Sequence, residues 1–204
     1  MKFFRSIIVC AIVLGIGSLL FVWFGVYDIA ATSPHWSITS SFIDIFRDRS
    51  IAVRADDLQV PILEDAKFSQ EAFSHYHGMC RFCHGAPGYS PEEFADGLYP
   101  SPPTMTSGYV QKEHSKSEIY WIAKHGIKMT GMPAFGHTHS EDQLWALVAL
   151  TEDMPSMTAE QYREFIKESH EGNHRHMHSV HDEEREIGNH KEKEGHESQG
   201  NHNH

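Results

Sequence analysis

Cysteine is scarce in this chain. Only three occur in 204 residues, and they cannot form the paired framework of a disulfide-stapled domain, because Cys80 and Cys83 share one short motif while Cys10 lies in an apolar run. Cationic side chains are also few. Lys and Arg number 17 against 28 Asp and Glu, giving a formal net charge of -11, and no basic cluster is dense enough to hold a nucleic acid. Convincing strand alternation is absent too, so the expected class is all-α. The length allows one core with accessories rather than two comfortable domains.

What is present is unevenly placed. Lys2 and Arg5 precede an uncharged apolar stretch over residues 6–27, long enough for one transmembrane helix with its N-terminal end in the cytoplasm. Phe3 and Phe4 at one margin, and Trp23, Phe24 and Tyr27 at the other, suit the two membrane interfaces. A cleaved signal peptide is the alternative, but the apolar run is long and Ala30-Ala31 makes a poor cleavage site. Either way the remainder is exported, which places it in the periplasm or at the exterior of a bacterial cytoplasmic membrane. Cys10 would be inert in lipid. Residues 1–27 are thus read as basic start and anchor.

Residues 28–66 are read as a juxtamembrane segment. Ile38, Phe42, Ile45 and Phe46 recur at helical spacing and predict a short amphipathic helix, either lying on the membrane or packing under the soluble domain. Residues 51–61 read as an extended connector. The domain proper is expected over 67–157, with one helix from Lys67 to Cys80, a second opened by the capping pair Ser115 and Glu118, and a third opened by Ser140 and Gln143. Thr158 with Gln161 opens a short helix over 158–169. Nine of the 17 histidines fall in a disordered tail, 170–204, where His174, His176 and His178 offer possible sites for copper, zinc or nickel.

Between the first two helices, residues 85–108 form a long Gly- and Pro-rich loop. So long a loop is uncommon in a small domain unless something else fills the core. The sequence Cys80-Arg81-Phe82-Cys83-His84 supplies the candidate. Two thiols spaced in this way add across the vinyl groups of haem, and the adjacent imidazole binds the iron. A structural zinc site drawing on His75, His77, Cys80, Cys83 or His84 lacks a second cysteine pair. A thioredoxin-like pair lacks a βαβ context. Downstream, Gly131-Met132-Pro133 offers a thioether on a loop freed by glycine and stiffened by proline, so Met132 is the expected second axial ligand. Met129 is expected to turn back toward the core beside Ile127.

Met79 to Gly85, Gly131 to Phe135 and the segment Asp142-Gln143-Leu144-Trp145-Ala146-Leu147-Val148 resemble class I c-type cytochromes, in particular the haem-bearing subunits of cbb-type oxidases. The resemblance covers residues 67–155. It implies the cytochrome c fold around one covalent haem c, with the helix ending at Cys80 crossing the final helix near Leu144 to Leu150. Tyr76 matches the family's aromatic one turn before the first cysteine. Pro103-Thr104-Met105 resembles the family's Pro-x-Leu, in which the proline carbonyl receives a hydrogen bond from the axial imidazole. Met105 replaces the leucine, and Leu150 stands where many members carry an aromatic.

With His84 and Met132 both on iron, no open position would remain, and electron transfer is the expected work, without enzymatic turnover. Redox proteins such as an oxidase, a dehydrogenase or a copper enzyme are the expected partners. The alternatives are a haem subunit of a larger oxidoreductase, a peroxidase or nitrite-reducing cytochrome, and a metal-handling protein acting through its tail. Between residues 60 and 157 six basic residues face twelve acidic ones, yet Arg81, Lys124 and Lys128 could form a local positive rim. His114, His125, His137 and His139 read as surface residues, with His137 or His139 within reach of a propionate.

Overall fold

The computed structural model describes residues 2–62 and 69–168, so the candidate tail ligands His174, His176 and His178 lie outside the described residues. Helix α1 spans Lys2–Trp23 and buries none of its side chains, and by length and composition it is able to cross a membrane. Helix α2 covers Ser37–Ala55. It extends into the stretch expected to be a connector, because Ile51 and Ala55 find buried places against the helical domain, where α2 contacts α6.

The domain begins with α3, Gln70–His75, whose first turn is capped by Ser69 accepting from the Ala72 amide. The helix then widens into a π-turn, Tyr76–Cys80, closed by a hydrogen bond from the Arg81 amide to the Tyr76 carbonyl, and resumes as α4, Arg81–His84. Wide turns of this kind insert a residue and rotate the downstream helix, and they recur at functional sites. Gly85 ends the run at φ +66°, a left-handed conformation open to glycine. Short helix α5, Tyr109–Glu113, was not legible in the sequence pattern. Helix α6, Lys116–His125, and helix α7, Glu141–Asp153, both start on full capping boxes, Ser115 with Glu118 and Ser140 with Gln143. The last helix among the described residues, α8, occupies 159–168 and opens on reciprocal bonds between Thr158 and Gln161. No strand occurs among the described residues.

The core lies where α3 packs on α7. Phe73 and Tyr76 from one side meet Leu144, Val148 and Leu150 from the other, all essentially without solvent exposure. Leu150 therefore packs fully despite its smaller size. Across the α6–α7 contact, Tyr120 and Trp145 stack with centroids 4.0 Å apart. Helix α8 belongs to the same core: Tyr162 is fully buried against Phe73, and Phe165 stacks on Phe73 at 4.5 Å. The loop after the cysteine motif abuts this helix so closely that a Cβ on Gly88 would fall 2.7 Å from that of Ala159. Helix α8 thus braces the back of the helix that carries the motif.

Candidate functional site

The motif residues sit at the end of a well-anchored helix. Cys80 closes the π-turn and packs on the core, while Cys83 and His84 lie in α4. Both cysteines are free thiols of intermediate exposure. Burial, reinforced by the neighbouring Cys83, pushes the Cys80 thiol up to about 12. One turn earlier Tyr76 donates its hydroxyl proton to the Gly85 carbonyl at 2.8 Å, which fixes the chain on the far side of the motif. Burial also raises the Tyr76 phenol well above its ordinary range, so it remains a donor.

His84 is oriented through one ring nitrogen. Its Nδ1 lies 2.8 Å from the Pro103 carbonyl, which can only accept, so Nδ1 carries the proton and Nε2 offers its lone pair elsewhere. Burial holds the imidazole below its ordinary pKa, against the opposing pull of Pro103, so the neutral form required of a ligand is favoured.

Met132 occupies a loop whose shape is set by backbone contacts. Thr130 accepts from the Met132 amide at 3.2 Å and donates to the Ile127 carbonyl at 2.8 Å, and the Ile127 amide returns to the Met132 carbonyl at 3.2 Å. Gly126, at φ +65°, lets this loop fold onto the end of α6, since a Cβ there would lie 2.7 Å from the Met132 carbonyl oxygen. Gly131 faces Leu98, whose side chain would be 3.0 Å from an added Cβ. Residues 98–103 consequently touch the methionine loop at Leu98 and the imidazole at Pro103. The approach of Pro103 to His84 is the one the family resemblance implied, whereas the Leu98–Gly131 link was not visible in the sequence, because it joins segments far apart in the chain.

Two expectations require correction. Met129 does not turn into the core: it has φ +60° and is 100% exposed, because the turn closed from Thr130 to Ile127 throws its side chain outward. Two of the three cations expected at the positive rim are paired as well. Arg81 pairs with Glu92 at 3.0 Å and Lys124 with Glu141 at 2.6 Å, so neither presents an isolated cation. Among the other histidines, His139 packs edge-on against His75 at 4.9 Å and against Phe135, while His125 lies beside Trp121. Met105 is partly buried against the core, and Gln111 ties its carbonyl to that of Thr151 near the end of α7.

Among the described residues, no three His, Cys, Asp or Glu side chains converge as a metal site would require. The donor set instead comprises two unpaired thiols three residues apart and an imidazole with one nitrogen already committed. These groups fit a covalently held haem. Residues 69–150 match the family model described as cytochrome c oxidase, cbb3-type, subunit III. This segment is a class I cytochrome c domain. The family carries a covalently bound haem, and electron transfer is the activity it indicates. No curated protein and no solved structure matches the chain. The matched residues end within α7, so α8, which packs on Phe73, lies outside them.

Proposed function

We propose that the chain is a membrane-anchored electron carrier with a single haem c, attached through Cys80 and Cys83 and held at iron by His84 and Met132. The observation that carries this reading is the 2.8 Å approach of His84 Nδ1 to the Pro103 carbonyl, which leaves Nε2 as the one ring nitrogen free to ligate. The bound group supplies a one-electron change at iron. The protein's residues do the remaining work. Cys80 and Cys83 would hold the ring by thioether links, Pro103 fixes the tautomer and angle of the imidazole, and the 126–132 loop would offer a neutral sulfur, which raises the potential relative to a second histidine.

Lys2 and Arg5 keep the start of α1 in the cytoplasm, which puts the cytochrome c domain on the periplasmic or outer face of a bacterial cytoplasmic membrane. Donor and acceptor are then other extracytoplasmic redox proteins, an oxidase, a dehydrogenase or a copper enzyme. The match to an oxidase subunit favours a second reading, in which the chain is a fixed subunit of a larger oxidoreductase. Isolation from native membranes in mild detergent separates the two, since a fixed subunit brings its complex with it. Imidazoles of His174, His176 and His178 would add a copper, zinc or nickel site without entering the redox centre.

The direct test of the carrier reading is carbon monoxide. With both axial positions filled, the dithionite-reduced full-length protein should keep its visible spectrum unchanged under the gas while titrating reversibly as one electron. Ready formation of a carbonyl adduct would show an open coordination site and point instead to a catalytic haem.

A further inference from the structure

Helix α2 has two apolar faces, and among the described residues only one is packed. Ile51 and Ala55 are buried where α2 meets α6. On the other side Ile38, Phe42, Ile45 and Phe46 are 79%, 70%, 70% and 68% exposed, and Val53 continues the same stripe toward the end of the helix. The spacing i, i+4, i+7, i+8 and i+15 keeps these side chains within one helical face, and the stripe is about 22 Å long at 1.5 Å per residue. Phe42 and Phe46 stack, with centroids 6.3 Å apart. The one charge on the stripe is Arg49, whose long stem can lie along an apolar surface with its head in the polar layer. Asp44, Arg47 and Asp48 form their ion pairs away from the stripe.

The start of this helix is held at the outer end of α1. Trp36 meets the Phe21 ring at 6.1 Å and the Tyr27 ring at 5.0 Å, and Tyr27 hydrogen-bonds His35 at 2.8 Å. Phe21 lies within α1 itself, so Trp36 is folded back to the level of the last turn of the apolar helix. The exposed stripe begins two residues later.

We infer that α2 lies in the outer leaflet interface, with Ile38, Phe42, Ile45, Phe46 and Val53 among the lipid headgroups and upper acyl chains. This rests on α1 being a membrane span. The partner it commits to is the phospholipid bilayer, because the stripe is continuous with the end of the anchor and combines large apolar side chains with a single cation. The consequence reaches the cofactor loop. Tyr99 joins this same hinge, where the His35 amide donates to Tyr99 Oη at 3.0 Å and the two rings stand edge to face at 5.0 Å. Tyr99 lies between Leu98 and Pro103, so seating α2 on the bilayer would hold the loop that orients His84 close to the membrane surface.

The test uses the full chain with a benzophenone amino acid in place of Phe42, Phe46, Asp44 or Leu20, one at a time. Each variant is placed in vesicles of phosphatidylethanolamine and phosphatidylglycerol, and also examined in native membranes. An unchanged haem spectrum establishes that each has folded. On irradiation, the Phe42 and Phe46 variants should gain the mass of a phospholipid, whereas the Asp44 variant should not. The Leu20 variant reports on the anchor independently. Lipid adducts at Leu20 with none at Phe42 or Phe46 would overturn the inference and leave the anchor standing. Absence of adducts at Leu20 would remove the anchor and the inference together. A protein adduct at Phe42 in native membranes, with no lipid adduct, would also overturn it by showing that a partner subunit covers the stripe.

Discussion

The two sides of the candidate haem site are built by different means. On the attachment side, Cys80, Cys83 and His84 come after a helix whose Phe73 and Tyr76 are locked in the core and braced from behind by α8. The segment proposed to supply the second ligand is different: Met132 sits on a loop held by backbone hydrogen bonds and by the close approach that Gly126 permits. The first side depends on apolar packing, and the second on the shape of a few glycine-containing turns. Damage to the first should therefore cost stability throughout the domain, whereas damage to the second should change coordination while much of the fold persists.

The largest expected effect concerns the bracing helix. Replacing Tyr162→Ala removes a fully buried ring from the Phe73 face, along with its contact with His77 at 3.3 Å. Loss of about 3 to 5 kcal/mol is expected, as for other buried aromatic truncations, read by denaturant unfolding of the holoprotein. A loss below about 0.5 kcal/mol, the level of an ordinary surface change, would show that α8 is an appendage and that the attachment side stands without it.

Gly126→Ala attacks the other side. The added methyl would fall 2.7 Å from the Met132 carbonyl oxygen at a backbone conformation with φ +65°. A cost of about 1 to 3 kcal/mol is expected from strain of this kind. The more telling readout is spectroscopic: the methionine signature of oxidised haem should weaken while haem remains covalently attached on a denaturing gel. Equal loss of both would erase the distinction between the sides.

The smallest effect is electrostatic. Lys124, on the helix that ends at Gly126, pairs with Glu141 at the start of α7. The Lys124 hydrogen bond and charge hold the Glu141 carboxyl below its ordinary pKa. A depressed carboxylate contributes stability that is present above its ordinary value and lost as pH falls through the folded one. The stability difference between wild type and Glu141→Gln should thus shrink on acidification below the ordinary glutamate range, measured by unfolding midpoints across pH. Because Glu141 is exposed, the difference should be small even at neutral pH and should fall further with salt.

Features encoded within a few residues were legible in the sequence. The reciprocal caps at Ser115 and Glu118, Ser140 and Gln143, and Thr158 and Gln161 arise from an i, i+3 spacing that the folded helices reproduce. The Cys80 to His84 pentapeptide is equally local. Long-range geometry was legible only where the family resemblance supplied it, as for the crossing of α3 with α7. The Tyr99 contact with His35 spans 64 positions, and the packing that lengthens α2 to Ala55 depends on α6 being present to receive Ile51. Met129 shows the limit most clearly, because nothing in its neighbours' composition distinguishes an outward left-handed turn from an inward one. The pairing of Arg81 with Glu92 and of Lys124 with Glu141 likewise needs the fold to bring separated segments together.

The central claim is that Met132 occupies the second axial position, and paired alanine substitutions at Met132 and Met129 test it most directly. The oxidised His/Met haem should show a weak long-wavelength sulfur-to-iron absorption band. Met132→Ala should abolish that band, lower the potential and admit carbon monoxide to the reduced protein. Met129→Ala should leave all three unchanged, since its side chain is fully exposed. Persistence of the band in Met132→Ala, with its loss in Met129→Ala, would contradict the assignment.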